Sequence, residues 1–152
     1  MKRLSVFFLL FAILLSLGGC SERRGAREML SKFADCCDVS GVLYSPDIKE
    51  GEAGYIDSGF FEALYDASPD PESDYAVFLS ASLDKVYEAA VFVCFDESSA
   101  FYAEEICRKR LLMIEKMGYG GERVLIRRRG TVFYSVMPKG VDSEAIWRDI
   151  EI

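Results

Sequence analysis

The stretch Ala89–Phe95, AAVFVCF, is apolar at seven consecutive positions. Side chains of a strand alternate between two faces, so a strand made of these residues needs cover on both sides. That predicts a central strand packed above and below. The other strands are read around it. "DYAVFLSAS" (74–82) and "VYEAAVFVCF" (86–95) form neighbouring strands joined near Leu83-Asp84-Lys85. "RVLIRR" and "TVFYSVM" form two more around Arg129-Gly130, a hairpin turn. Val42-Leu43-Tyr44 is a short strand stopped before Pro46.

Between these strands the apolar period changes to that of a helix. Leu30, Phe33, Ala34 and Cys37 predict a helix over 27–38, with Gly41 beyond its end. Residues 47–56 read as a loop. Asp57 or Ser58 caps a helix carrying Phe60, Phe61, Leu64 and Tyr65. Asp96 or Ser98 starts the longest helix, which ends at Met117 before "GYGG". Its inner face is expected to hold Ala103, Ile106, Cys107, Ile114 and Met117. Its outer face pairs Glu104 with Arg108 and Glu105 with Lys109 at i, i+4. Residues 143–150 predict a terminal helix containing Trp147. The order α-β-α-β-β-α-β-β-α, with short turns between adjacent strands, predicts one α+β domain over residues 27–152. It is an antiparallel sheet of four to five strands with helices packed on it.

The segment ahead of that domain has a different chemistry. Lys2 and Arg3 precede Leu4–Leu17, which is 14 residues long and uncharged. A membrane span needs about 20 such residues, so this length suits a secretory signal instead. No A-x-A cleavage pattern follows. Leu17-Gly18-Gly19-Cys20 follows, and it resembles a bacterial lipobox, in which a lipid is attached to the cysteine thiol and cleavage falls between Gly19 and Cys20. Residues 1–19 are thus expected to be a signal peptide and residues 20–26 a lipidated cysteine with a short tether. Extended, Ser21–Ala26 reaches about 20 Å, which keeps the domain close to the membrane. Arg23 and Arg24 read either as contacts to anionic headgroups or as solvated charges beside a helix N-terminus.

Composition narrows the chemistry. The formal net charge is −7, and removing residues 1–19, with Lys2 and Arg3 and no acid, makes it −9. Such a domain repels phosphate backbones, so no nucleic-acid partner is expected. The chain has no histidine, which rules out Ser-His and Cys-His catalytic pairs and removes the commonest metal ligand.

From Glu28 to Met137, "FFEALYD", "DYAVFLSASLDKVYEAAVFVCFDESS", "CRKRLLMIEKMGY" and "GTVFYSVMP" resemble a family of small lipoproteins of unknown function. That family is found mainly in clostridial and related Gram-positive bacteria. Its pattern runs from a helix through a strand pair ending in an apolar strand plus Asp, then a long helix with Arg110, to a closing hairpin. Where the family has a tyrosine- and proline-containing turn after the long helix, this chain has "GYGGERV" without proline. The resemblance implies an extracytoplasmic bacterial lipoprotein and no known activity.

Four further groups of residues bear on function. Cys36, Cys37, Cys94 and Cys107 remain beyond the anchor, and four cysteines allow three pairings. One bridge among Cys37, Cys94 and Cys107 is geometrically open, but buried free thiols acting as small hydrophobes are the expectation. Without a C-x-x-C, zinc and dithiol chemistry are weakly supported. "DPESDY" spaces Asp70, Glu72 and Asp74 like the start of a calcium loop, but Tyr75 and Ala81 stand where the EF-hand needs Gly and Glu. No metal or other cofactor is expected. Arg127, Arg128 and Arg129 are the one cationic cluster on an acidic domain, with Arg127 and Arg129 expected on one face of a strand end and Arg128 on the other. They read either as an anion or partner contact, or as charges that protect an edge strand and pair with nearby acids. Tyr44, Tyr55, Tyr102 and Tyr119 fall at element ends, where they can line a surface.

No pair of acids is marked by spacing or by an apolar setting, so no catalytic residue is assigned. The expected function is that of a lipid-anchored, non-enzymatic binding module with an unidentified protein or envelope partner. The alternative is a cell-envelope enzyme using paired carboxylates.

Overall fold

The computed structural model describes residues 24–81 and 86–151. Residues 1–19, expected to be a signal peptide, together with Cys20, Arg23 and the Leu83-Asp84-Lys85 connection, lie outside the described residues. The elements are α1 (Ala26–Cys37), β1 (Gly41–Tyr44), α2 (Ser58–Tyr65), β2 (Asp74–Ser80), β3 (Glu88–Val93), α3 (Glu97–Lys116), β4 (Glu122–Arg128), β5 (Thr131–Met137) and α4 (Ser143–Glu151). The five strands form one antiparallel sheet in the order β1-β2-β3-β5-β4. This is the α+β arrangement expected from the sequence.

β3, the strand apolar on both faces, is the middle strand. Ala90 and Phe92 point to one side, where they meet Phe61, Leu64 and Tyr65 of α2 and Ala100, Ala103, Ile106 and Cys107 of α3. Ala89 and Val91 point to the other, toward Met29, Leu30 and Phe33 of α1 and Trp147 and Ile150 of α4. Aromatic rings fill both layers. Phe61 packs on Tyr65 and Tyr75 with centroids 4.6 and 4.8 Å apart. On the opposite face Phe133 stacks on Trp147 at 4.2 Å. Edge-to-face and offset ring pairs of this kind add about 0.5–1.5 kcal/mol beyond their burial.

Local signals set the helix ends. Asp57 caps α2 by accepting the Phe60 N–H at 2.7 Å, and Asp96 caps α3 by accepting the Ser99 N–H at 2.8 Å. α3 stops where Gly118 adopts φ +77°, a conformation that favours glycine. One inner-face assignment is corrected: Met117 is the cap residue beyond the last turn and is 56% exposed. The hairpin turn is also more specific than a strand end. Arg128 pairs with Thr131, leaving Arg129 (φ +51°) and Gly130 (φ +76°) as a two-residue turn with both residues left-handed. This is the geometry whose twist suits tight hairpins. Arg129 is therefore at the tip and does not share a strand face with Arg127.

Candidate functional site

The only fully buried carboxylate among the described residues is Glu88, at the start of β3. Its neighbour on α3 is Arg110, whose side chain is 10% exposed. The guanidinium grips the carboxylate with two hydrogen bonds, from Nε to Oε1 at 2.7 Å and from Nη2 to Oε2 at 2.6 Å. Arg110 Nη1 also donates to the Leu64 carbonyl at 3.1 Å, tying α3 to the end of α2. Tyr134 of β5 donates its hydroxyl to Glu88 Oε1, and the Tyr65 and Tyr134 hydroxyl oxygens lie 2.9 Å apart. Four elements thus meet at one buried ion pair. Burial works against the charge on Arg110, but the hydrogen bonds and negative charge of Glu88 outweigh it and hold the guanidinium above its usual value. Burial and the Glu88 charge push both tyrosines well above the usual phenol value, so they stay neutral.

Sequence reasoning missed this cluster, although two signals were present. Glu88 is a lone charge beside an apolar run. Arg110 lies four residues after Ile106 and four before Ile114, on the inner face of α3. The acid is marked by an apolar setting, but its partner is a base and not a second acid.

Among the described residues Cys37, Cys94 and Cys107 are buried thiols and Cys36 is an exposed one, none of them in a disulfide. Burial, with Cys36 adjacent, pushes the Cys37 thiol up to about 11, and burial drives Cys107 well above its usual value. Both are protonated at neutral pH and poor nucleophiles.

The acidic turn does not converge on a common point. Asp70 accepts from Ser73 Oγ at 2.6 Å and from the Glu72 N–H at 3.2 Å. Asp74 instead reaches the start of α1 and accepts the Ala26 N–H at 2.7 Å. Among the described residues no group of three His, Cys, Asp or Glu side chains comes together as a metal donor set.

The arginine cluster divides by role. Arg127, on edge strand β4, forms ion pairs with Glu97 and Glu104 of α3, and Glu104 also pairs with Arg108. Arg128 ends the strand and Arg129 is exposed at the turn. Of the four tyrosines, Tyr44 packs edge-on against Phe60 at 5.1 Å and Tyr102 donates to the Ser68 carbonyl at 2.8 Å. Tyr55 forms an isolated bridge with Ser45, and Tyr119 lies beyond the far end of α3. They line no common surface.

An open groove of about 470 Å³ lies beside α1, bounded by Arg27, Glu28, Lys32, Asp47 and Asp74. Its charges are already matched in exposed pairs, Arg27 with Asp47 and Lys32 with Glu28. Among the described residues no helix is long and apolar enough to cross a membrane. No family model matches the chain, and no curated protein or solved structure does either.

Proposed function

We propose that the chain is a lipoprotein held through Cys20 on the extracytoplasmic face of a bacterial membrane, and that its domain is a binding module rather than an enzyme. One observation carries this reading. Lys2-Arg3, the uncharged Leu4–Leu17 and Leu17-Gly18-Gly19-Cys20 are followed after only five residues by α1, which begins at Ala26. Lipid attachment to the Cys20 thiol followed by cleavage before Cys20 leaves an α-amine that can be acylated as well. Each buried CH₂ contributes about 0.8 kcal/mol, so two or three acyl chains on one cysteine hold a domain stably.

The enzyme alternative needs two accessible carboxyls, one of them in an apolar setting. Glu88 is the one carboxylate with that setting among the described residues, and Arg110 engages both of its oxygens. No atom of it is left for a substrate. This supports contact through the surface as the mode of action.

The experiment is a mass measurement on protein from the membrane fraction. Trypsin is expected to release a peptide that begins at Cys20, ends at Arg23 and carries acyl mass. An unmodified Cys20, joined to residues before it, overturns the proposal.

A further inference from the structure

Resting on the anchored reading above, we infer that one end of the domain is a lipid-facing surface. Phe95, Phe101 and Arg129 lie against the headgroup layer of the bilayer that holds Cys20. The topology determines which end this is. α1 starts at Asp74, through the Ala26 N–H. Asp74 pairs with Val93, Val93 with Thr131, and Thr131 with Arg128. The start of α1, the exit of β3 and the tip of the β4–β5 hairpin therefore share one end of the sheet. Cys94 N–H donates to the Gly130 carbonyl at 2.8 Å, which sets Phe95 beside that tip. The six residues from Ser21 to Ala26 span about 20 Å at full extension. α3, which leaves from this same end, is about 30 Å long. The tether brings the near end to the headgroups and leaves the far end of α3 in water.

The chemistry of that end suits the interface. The large exposed aromatic side chains among the described residues are Phe95 (67%), Phe101 (59%) and Tyr102 (39%). All three stand at the exit of β3 or in the first turns of α3. Exposed aromatic rings gain by entering the boundary between headgroups and acyl chains. Arg129 occupies a left-handed turn position that Asn or Gly fills with less strain. A guanidinium held there can take a lipid phosphate with two parallel hydrogen bonds. The same end also carries Asp70, Glu72, Asp96 and Glu97, so its field is mixed. Apposition therefore rests on the rings, with Arg129 adding a phosphate contact, and is expected to survive added salt.

The test uses the full chain made in a lipidating bacterial host and reconstituted into vesicles of phosphatidylcholine and phosphatidylglycerol. The vesicle acyl chains are brominated near the headgroup to quench nearby indoles. Phe95→Trp, Phe101→Trp and Leu112→Trp are made separately. The native Trp147 is 2% exposed and serves as a constant background. Most of the emission added by Phe95→Trp and by Phe101→Trp is expected to be lost. That added by Leu112→Trp, 54% exposed and about 22 Å further along α3 than Glu97, is expected to persist. Arg129→Gln in the Phe95→Trp chain should restore part of the lost emission. Equal emission of the Phe95→Trp chain in brominated and plain lipid overturns the inference and leaves this end to water or a protein partner. Equal quenching of Leu112→Trp also overturns it, because the domain then lies on its side. The acyl mass of Cys20 is read on the same sample. If it is absent, the anchored reading falls together with this inference. If it is present without quenching, only the lipid-facing surface falls.

Discussion

Glu88 and Arg110 bury opposite charges in a core otherwise made of aromatic and aliphatic groups. Desolvating two charges is expensive, and their attraction repays it only with full hydrogen bonding, which Tyr134 and the bidentate contact provide. Removing one partner leaves the other uncompensated. Arg110→Met is expected to lower stability by about 3–5 kcal/mol in urea denaturation, a large share of a total near 5–15 kcal/mol. Glu88→Leu combined with Arg110→Met should recover most of that loss. Equal loss in the double variant contradicts the pairing. The pair was legible only in fragments. Each residue's periodicity was visible in its own element, but their meeting depends on how α3 crosses the sheet, and no local signal encodes that crossing.

The elements were legible where short-range chemistry decides them. Asp57, Asp96, "GYGG" and Arg129-Gly130 each mark a boundary through a hydrogen bond or a backbone conformation within four residues. The β3–β5 pairing was not, because α3 and β4 separate the two strands in sequence. Asp96 makes the cap of α3 sensitive to acid. Its hydrogen bonds from the Ser99 N–H and hydroxyl hold its carboxyl below the usual value of 3.8. A carboxyl depressed on folding contributes fully above its unfolded value, and the contribution is lost as pH falls through the folded one. The melting temperature of the domain is thus expected to fall below about pH 4. Asp96→Asn keeps an acceptor and should flatten part of that fall. An unchanged acid profile in Asp96→Asn assigns the acid sensitivity elsewhere. The hairpin offers a second contrast. Arg127→Gln breaks the pairs with Glu97 and Glu104 and should lower the melting temperature. Arg129→Asn relieves the left-handed turn and should raise it. The opposite order contradicts the division between a structural Arg127 and a surface Arg129.

At the scale of the whole molecule, the apolar run foretold a sheet covered on both faces, and both layers of helices are present over Ala89–Val93; Phe95, two residues beyond β3, is 67% exposed and does not belong to the covered strand. Val91, fully buried against α1 and α4, tests that cover. Val91→Asp is expected to abolish cooperative folding, since an unpaired charge there costs several kcal/mol. Melting at the wild-type temperature would falsify the two-layer core. The purpose of the domain was less legible, because a binding surface has no period and no required residue type. The proposed anchor rests on charge, uncharged length and a cysteine that occur together in the first twenty residues. The most direct measurement is therefore incorporation of labelled fatty acid into the wild-type chain and Cys20→Ala in a bacterial host. The account predicts label on the wild type only, with Cys20→Ala retained as the longer precursor that keeps residues 1–19. Equal label on both chains would contradict it.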